Sequence, residues 1–200
     1  LLYIVYKEFS MDGMLSDITE EIDRENKIIT DLLSLVKMDK KAADMNIRNM
    51  NINELLENIL KRLRPIADQR RIDLILDSFR PVTADVDEVK FTLAISNLVE
   101  NGIKYNVDEG WVRVTLDADH KDFYVTVADS GLGIPEDSIE RIFERFYRVD
   151  KARSRETGGT GLGLAITRNV VLMHKGSIRV HSKEGEGATF IIRIPLNYIS

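Results

Sequence analysis

The chain has 200 residues, 44% hydrophobic and 30% charged, enough for one globular core with room for an appended element, and disordered and fibrous classes are excluded. A net charge of -5 argues against a general nucleic-acid binder, and the lack of cysteine excludes both a disulfide framework and a thiolate zinc site while fitting a reducing compartment. The longest apolar run near the start, Leu1 to Tyr6, is far shorter than the ~20 residues of a membrane span, and with no initiating Met and no signal pattern the sequence reads as a piece of a longer protein.

Residues 14 to 38 carry Ile18, Ile22, Ile29, Leu32 and Val36 at spacings of four and three, with Glu25 in the remaining seam position, which predicts a heptad-like helix. Ile28, Leu33 and Leu35 widen its apolar stripe beyond one partner's reach, so a bundle or dimer helix is favoured over one lying on its own domain. The pattern breaks at Lys40 to Asn46, giving domains at 1–45 and 46–200. Met50 to Ile52 is a candidate strand, and Asn53 a candidate N-cap for a helix through Leu55, Leu56, Ile59, Leu60 and Leu63, with Pro65 near its middle or end. Ile72 to Leu76 follows as a strand. Asp85 or Asp87 then caps a helix carrying Phe91, Ala94, Ile95, Leu98 and Ile103. Trp111 to Leu116 and Phe123 to Ala128 read as adjacent strands joined at Asp119 and His120, and Ser177–His181 and Thr189–Ile194 as a closing pair. Leu162, Ile166, Val170 and Met173 form one stripe of a helix that opens at glycines. Paired strands with helices between them predict a two-layer α/β sandwich, one mixed sheet with helices on one face.

Three stretches carry chemistry. Asn97, Asn101 and Lys104 fall within about 60° of one another at about 100° per residue, opposite Phe91, Ile95, Leu98 and Gly102. Asparagine costs helix stability, and Glu or Lys would serve a merely solvated face better, so amide oxygens beside a cation point to a hydrated Mg²⁺ shared with phosphate. Asp129-Ser130-Gly131-Leu132-Gly133-Ile134-Pro135 follows a strand; its carboxylate suits an exocyclic amine such as adenine's, though in isolation it is equally an ordinary turn. In Thr157-Gly158-Gly159-Thr160-Gly161-Leu162-Gly163-Leu164 the glycines cost roughly 0.5–1 kcal/mol each relative to alanine in regular structure, so bare backbone is required there. A glycine-rich helix start offers unpaired N–H groups to an anion. Leu164 stands where a P-loop needs Lys, and Ile166 where a dinucleotide fingerprint needs its third glycine.

In this order, these stretches resemble the boxes of the ATP-binding domain of sensor histidine kinases, within the gyrase, Hsp90, histidine kinase and MutL ATPase superfamily. Asn97 to Tyr105 resembles the N box, Asp129 to Gly133 the first glycine box, Ile142 to Arg148 the F box, Gly159 to Leu164 the second glycine box and Gly185 to Phe190 the last. The resemblance implies a Bergerat-type ATP-binding fold preceded by a long helix, with ATP and Mg²⁺ as ligands. Asn101 would hold the metal, Asn97 would support metal and phosphates, and Lys104 would touch phosphate. Tyr105 would lie on base or ribose, and Asp129 would read the adenine amine in a pocket shaped by Gly131 and Gly133. Gly161, Leu162 and Gly163 would bring backbone N–H groups to the phosphates, and Arg145 and Arg148 would meet phosphate or transition-state charge. Ile134, Phe146, Tyr147, Thr160, Leu164 and Thr189 complete the implied nucleotide contacts, and Lys151 to Gly159 would be a lid, with Thr160 and Gly161 its pivot.

Glu21-Ile22-Asp23-Arg24 and Asp31-Leu32-Leu33 resemble the second helix of the family's dimerisation hairpin. None of His120, His174 and His181 matches the phosphoacceptor of the first helix, so the acceptor is expected on another segment and autophosphorylation of this chain alone is expected to fail. The resemblance also implies a response regulator receiver domain as partner, a homodimeric parent anchored in the cell membrane, and a cytoplasmic location for this portion; half of the four-helix bundle needed for dimerisation is missing. A conformational ATPase, a serine kinase of the same superfamily and a non-catalytic ATP-binding module remain as alternatives.

Overall fold

A computed structural model describes residues 18–19, 21–22, 25–26, 28–33, 45–149 and 159–198. The expected lid falls outside these residues except for Gly159, as does most of the expected boundary before residue 45. Every described position between 18 and 33 is helical. Ile18, Ile22, Ile29 and Leu33 on it are about half exposed, while Val36 lies outside the described residues.

From residue 45 the order is β1 (Ile47–Asn51), α1 (Ile52–Gln69), β2 (Asp73–Ser78), β3 (Thr83–Asp87), α2 (Glu88–Lys104), β4 (Trp111–Ala118) and β5 (Asp122–Asp129). A short 3₁₀ turn (Glu136–Ser138), α3 (Gly163–Met173), β6 (Ser177–Ser182) and β7 (Ala188–Pro195) complete it. Five strands form a mixed sheet in the order β2-β4-β5-β7-β6, parallel only between β2 and β4. The helices lie on one face, as the strand and helix alternation predicts. One sheet does not account for every strand, however: β1 and β3 form a separate antiparallel ribbon, and β3 was not expected.

Strict alternation builds the core. Val112, Val114 and Leu116 on β4, Phe123, Val125 and Val127 on β5, and Phe190, Ile192 and Ile194 on β7 are all buried and in register, while the intervening residues are less so. Against this face α1 sets Leu56, Ile59 and Leu60, and α2 sets Phe91, Ile95 and Leu98. The Phe91 and Phe123 rings meet at 5.8 Å, tilted by 59°. Continuing the β5 series by one step brings Asp129 to the same inward face at the strand's end. A carboxylate thereby enters the space between the layers.

The cap of α1 is Asn51, not Asn53. Asn51 Oδ1 accepts from the N–H groups of Asn53 and Glu54 at 3.1 and 3.3 Å, and its amide donates to Glu54 Oε1 at 3.0 Å. Pairing of Asn51 with Thr83 in the ribbon fixes where the strand stops. Asn53 instead anchors the β2–β3 connection, donating to the Arg80 carbonyl at 3.0 Å and accepting from Val82 N–H at 2.8 Å. Pro65 lies inside this helix, near its end, as expected. Asp87 caps α2, accepting from Lys90 N–H at 3.1 Å.

Candidate functional site

Helix α2 brings its polar face to a cleft of about 340 Å³ between the helical layer and the sheet's end. Asn97, Asn101, Lys104 and Tyr105 all line it, so the angular reading of that helix holds. Glu100, on the same face, also lines the cleft and was overlooked; it lies three residues after Asn97 and four before Lys104, and the same wheel would have found it. Asn97 donates to the Gly163 carbonyl at 3.2 Å, tying α2 to the first residue of α3.

At one end, beside Gly102, stands Asp129. Its Oδ1 accepts from Gly131 N–H at 2.9 Å and Ala188 N–H at 3.3 Å. Burial pushes this carboxyl above the usual carboxylate range, and the two backbone donors offset only part of that. Gly133 has φ +68, and a side chain there would collide with the Lys183 carbonyl, so this glycine lets the two loops close on each other. Ile134 N–H donates to Ser182 Oγ at 2.8 Å, and Ser182 Oγ donates on to the Gly187 carbonyl at 2.6 Å. Leu132, Ile134, Ala188 and Phe190 supply apolar wall. The inward alternation of β7 would have pointed to Ala188 and Phe190.

At the other end are Tyr147, Arg148, Thr160, Gly161, Gly163 and Leu164. Gly161 has φ +71, and a Cβ there would lie 2.9 Å from the backbone of Phe146, whose N–H donates to the Gly161 carbonyl at 2.9 Å. Helix α3 starts at this point with Leu162 as N-cap and no side-chain cap bond. Its first-turn N–H groups have no partner within the helix, as at every helix start. Beside them the Nε and Nη2 atoms of Arg148 are buried without a hydrogen-bond partner among the described residues. A buried guanidinium costs free energy unless an anion meets it. The helix start without a side-chain cap, these two Arg148 nitrogens and the Lys104 ammonium can together donate to an anion. Among the described residues no group of three or more His, Cys, Asp and Glu side chains is placed to hold a metal ion.

Five expected contacts lie outside the cleft lining. Leu162 is fully buried in a cluster with Ala94, Ile166 and Val170, and its N–H donates to Thr160 Oγ1 at 3.2 Å, so neither its side chain nor its amide is offered to a ligand. Phe146 has φ +64 and turns its ring outward, 56% exposed. Arg145 is on the exposed side of the same turn. Gly131 packs against the Tyr105 carbonyl. Thr189 pairs with Ala128 and His181 on the sheet face opposite Ala188 and Phe190.

Of the three histidines, His174 is buried, with Nε2 accepting from Asp87 N–H at 3.0 Å and Nδ1 donating to the Val170 carbonyl at 2.8 Å. Burial holds its pKa below the usual imidazole value, against the hydrogen bond to Val170 and the nearby Asp87 charge. Both nitrogens are spent on structure.

Residues 86–198 match the family model described as histidine kinase-, DNA gyrase B-, and HSP90-like ATPase. The sensor histidine kinase RppB of Synechocystis sp. is 38% identical over 187 residues, covering 93% of this chain and 41% of that protein. The sensor histidine kinase WalK of Bacillus subtilis is 36% identical over 178 residues, covering 88% of the chain and 29% of that protein. The chain therefore spans less than half the length of these relatives. Among solved structures, full-length ShkA in complex with AMPPNP superimposes with a TM-score of 0.80 at 26% identity, covering 94% of this chain and 39% of ShkA. Among the described residues no helix is long and apolar enough to cross a membrane.

Proposed function

Since the chain belongs to the histidine kinase-, DNA gyrase B- and HSP90-like ATPase family, with sensor histidine kinases as its matched relatives, we propose that it binds Mg-ATP and passes the γ-phosphoryl group to a histidine on another segment. The observation that carries this reading is the convergence of Asn97, Asn101, Lys104, the orphaned Arg148 and the uncapped start of α3 on one cleft, with Asp129 at its far end. In this reading Asp129 accepts the adenine amine and Tyr105 lies along base or ribose. Lys104, Arg148 and the N–H groups at Gly163 and Leu164 take the phosphates, while Asn97 keeps α3 in register with α2. Asn101 would hold Mg²⁺ through its amide oxygen, and the ion would supply neutralisation of phosphate charge. Transfer forms a bond from an imidazole nitrogen to the γ-phosphorus and breaks the bond from that phosphorus to the β,γ-bridging oxygen, releasing ADP. The protein's part is positioning and charge stabilisation.

The acceptor is external in this reading, because none of His120, His174 and His181 lines the cleft and His174 is fully engaged. Onward transfer to a receiver-domain aspartate, dimerisation of the parent and its attachment to a membrane rest on the relatives' description as sensor histidine kinases. The decisive experiment is titration with an ATP analogue, with and without Mg²⁺, on wild type, Asp129→Ala and Asn101→Ala. A separately made helical hairpin bearing the histidine is then added and acid-labile phosphate is assayed. Binding that Asp129→Ala abolishes, Mg²⁺ dependence that Asn101→Ala removes, and label on the hairpin alone are expected. Unchanged binding in both variants refutes the assignment, and label on His120 or His181 refutes the external acceptor.

A further inference from the structure

At the Asp129 end of the cleft two loops meet, the one that follows β5 (residues 130–135) and the one between β6 and β7 (183–187), and one hydroxyl stands between them. Ser182, the last residue of β6, accepts from Ile134 N–H at 2.8 Å and donates to the Gly187 carbonyl at 2.6 Å. A hydroxyl has one proton, and an amide N–H can only donate, so the proton goes to Gly187. The Gly187 carbonyl and the Ala188 N–H belong to a single planar peptide unit. Its carbonyl is held by Ser182 while its N–H donates to Asp129 Oδ1 at 3.3 Å. Gly187 has φ +80, and a Cβ there would collide with the Asp129 carbonyl, so only glycine brings this peptide so close. The same glycine leaves the peptide free to turn unless something grips its far side. Ser182 is that grip, and it does not itself line the cleft.

We propose that Ser182 is a positioning residue for adenine recognition: it locks the Gly187–Ala188 peptide with its N–H on Asp129 Oδ1, which fixes the carboxylate and leaves Oδ2 for the exocyclic amine. The proposal rests on the ATP reading of the cleft. Without the hydroxyl the peptide can rotate, and Asp129 keeps only the bond from Gly131 N–H. The loops stay joined by Gly185 N–H on the Leu132 carbonyl at 2.7 Å, so the loss acts on the peptide rather than on the wall as a whole. The Ala188 bond also opposes the upward push of burial on the Asp129 carboxyl, so losing it raises that carboxyl further.

Ser182→Ala is expected to weaken adenosine and an ATP analogue alike, by about three- to tenfold, the worth of one neutral hydrogen bond. Its adenosine affinity should also begin to fall at a higher pH on acidification than that of the wild type. The other charged groups lining the cleft, Asp31, Glu100, Lys104, Arg148 and Glu184, are the same in every variant, so a displaced curve reads the Ala188 bond. Ser182→Thr keeps the hydroxyl and is expected to keep both affinity and curve. Ser182→Cys keeps the size with a weak donor and is expected to shift both in the direction of alanine, which preserves the test if Ser182→Ala folds poorly. Wild-type affinity in the variants that lose the hydroxyl, alongside impaired binding in Asp129→Ala, overturns the proposal and leaves the ATP reading standing. Weaker affinity with an undisplaced curve overturns the link to Asp129. Absence of binding to both ligands in the wild type overturns the ATP reading and the proposal with it.

Discussion

Around Asp129 the cleft wall is tied by backbone hydrogen bonds, from Gly131 and Ala188 to its carboxylate and from Gly185 N–H to the Leu132 carbonyl at 2.7 Å, whereas around Arg148 two buried nitrogens have no partner among the described residues. In the proposed ATP reading the contrast follows from what each end would recognise. A flat ring is read by a shaped slot and one directed acceptor, and a slot has to exist before the ring arrives. Phosphate is recognised by charge and by donors pointing at a common centre, and those donors stay unsatisfied until the anion brings its oxygens. In the proposed ATP reading the base end is finished by the fold, while the phosphate end is finished by its guest.

The sharpest way to break this comparison is at Asp129. Asp129→Ala is expected to weaken both ATP and adenosine by about 10–100-fold, the range for losing a hydrogen bond to a charged group, as isothermal titration would show. Equal loss for both ligands places the residue at the base end; a loss confined to ATP would reverse the two ends. Next is Arg148→Ala, expected to cost about tenfold in ATP affinity and nothing for adenosine. Melting temperature should hold or rise, because the variant discards two buried guanidinium nitrogens that have no partner among the described residues.

A smaller effect is expected from pH. Because burial raises the Asp129 carboxyl, it takes up its proton at a higher pH than an exposed aspartate. Adenosine affinity should then decline as pH falls toward that raised value, and a titration with adenosine isolates the effect from phosphate ionisation. Away from the cleft, His174 has a folded-state pKa below its ordinary 6.5, so the unfolded chain takes the proton first as pH falls. Stability should drop on acidification below about pH 6.5, the unperturbed imidazole value, with adenosine affinity following a separate curve. His174→Gln should lose that part of the slope in thermal melts between pH 7 and 5.5.

Much of this was legible because the chemistry lies on regular elements. A helix repeats at a fixed angle, so Asn97, Asn101 and Lys104 could be grouped without a structure, and Asp129 continues an alternating strand to its end. The ribbon was harder: β3 offers only Ala84 and Val86, alternating with Thr83, Asp85 and Asp87, too little apolar signal to stand out from a loop. Asn51 and Asn53 are both good caps, and only the pairing of Asn51 with Thr83 decides between them. Phe146 is a nucleotide contact only as the resemblance implies; here its backbone is left-handed and its ring 56% exposed. Asp31 carried no local signal for its place in the cleft, because that depends on a contact between distant parts of the chain.

The ribbon has a mechanical consequence. Asn46 N–H donates to Asp87 Oδ2 at 3.0 Å, and Asp87 is at once the last residue of β3, the cap of α2 and the donor to His174. The ribbon at residue 46 is therefore joined to the start of α2 through a single carboxylate. Asn97 lies ten residues beyond Asp87, roughly 15 Å along a helix at 1.5 Å per residue. Asp87 is thus one joint shared by the ribbon, the start of α2 and His174, and the amides of Asn97 and Asn101 stand on the helix that this joint caps.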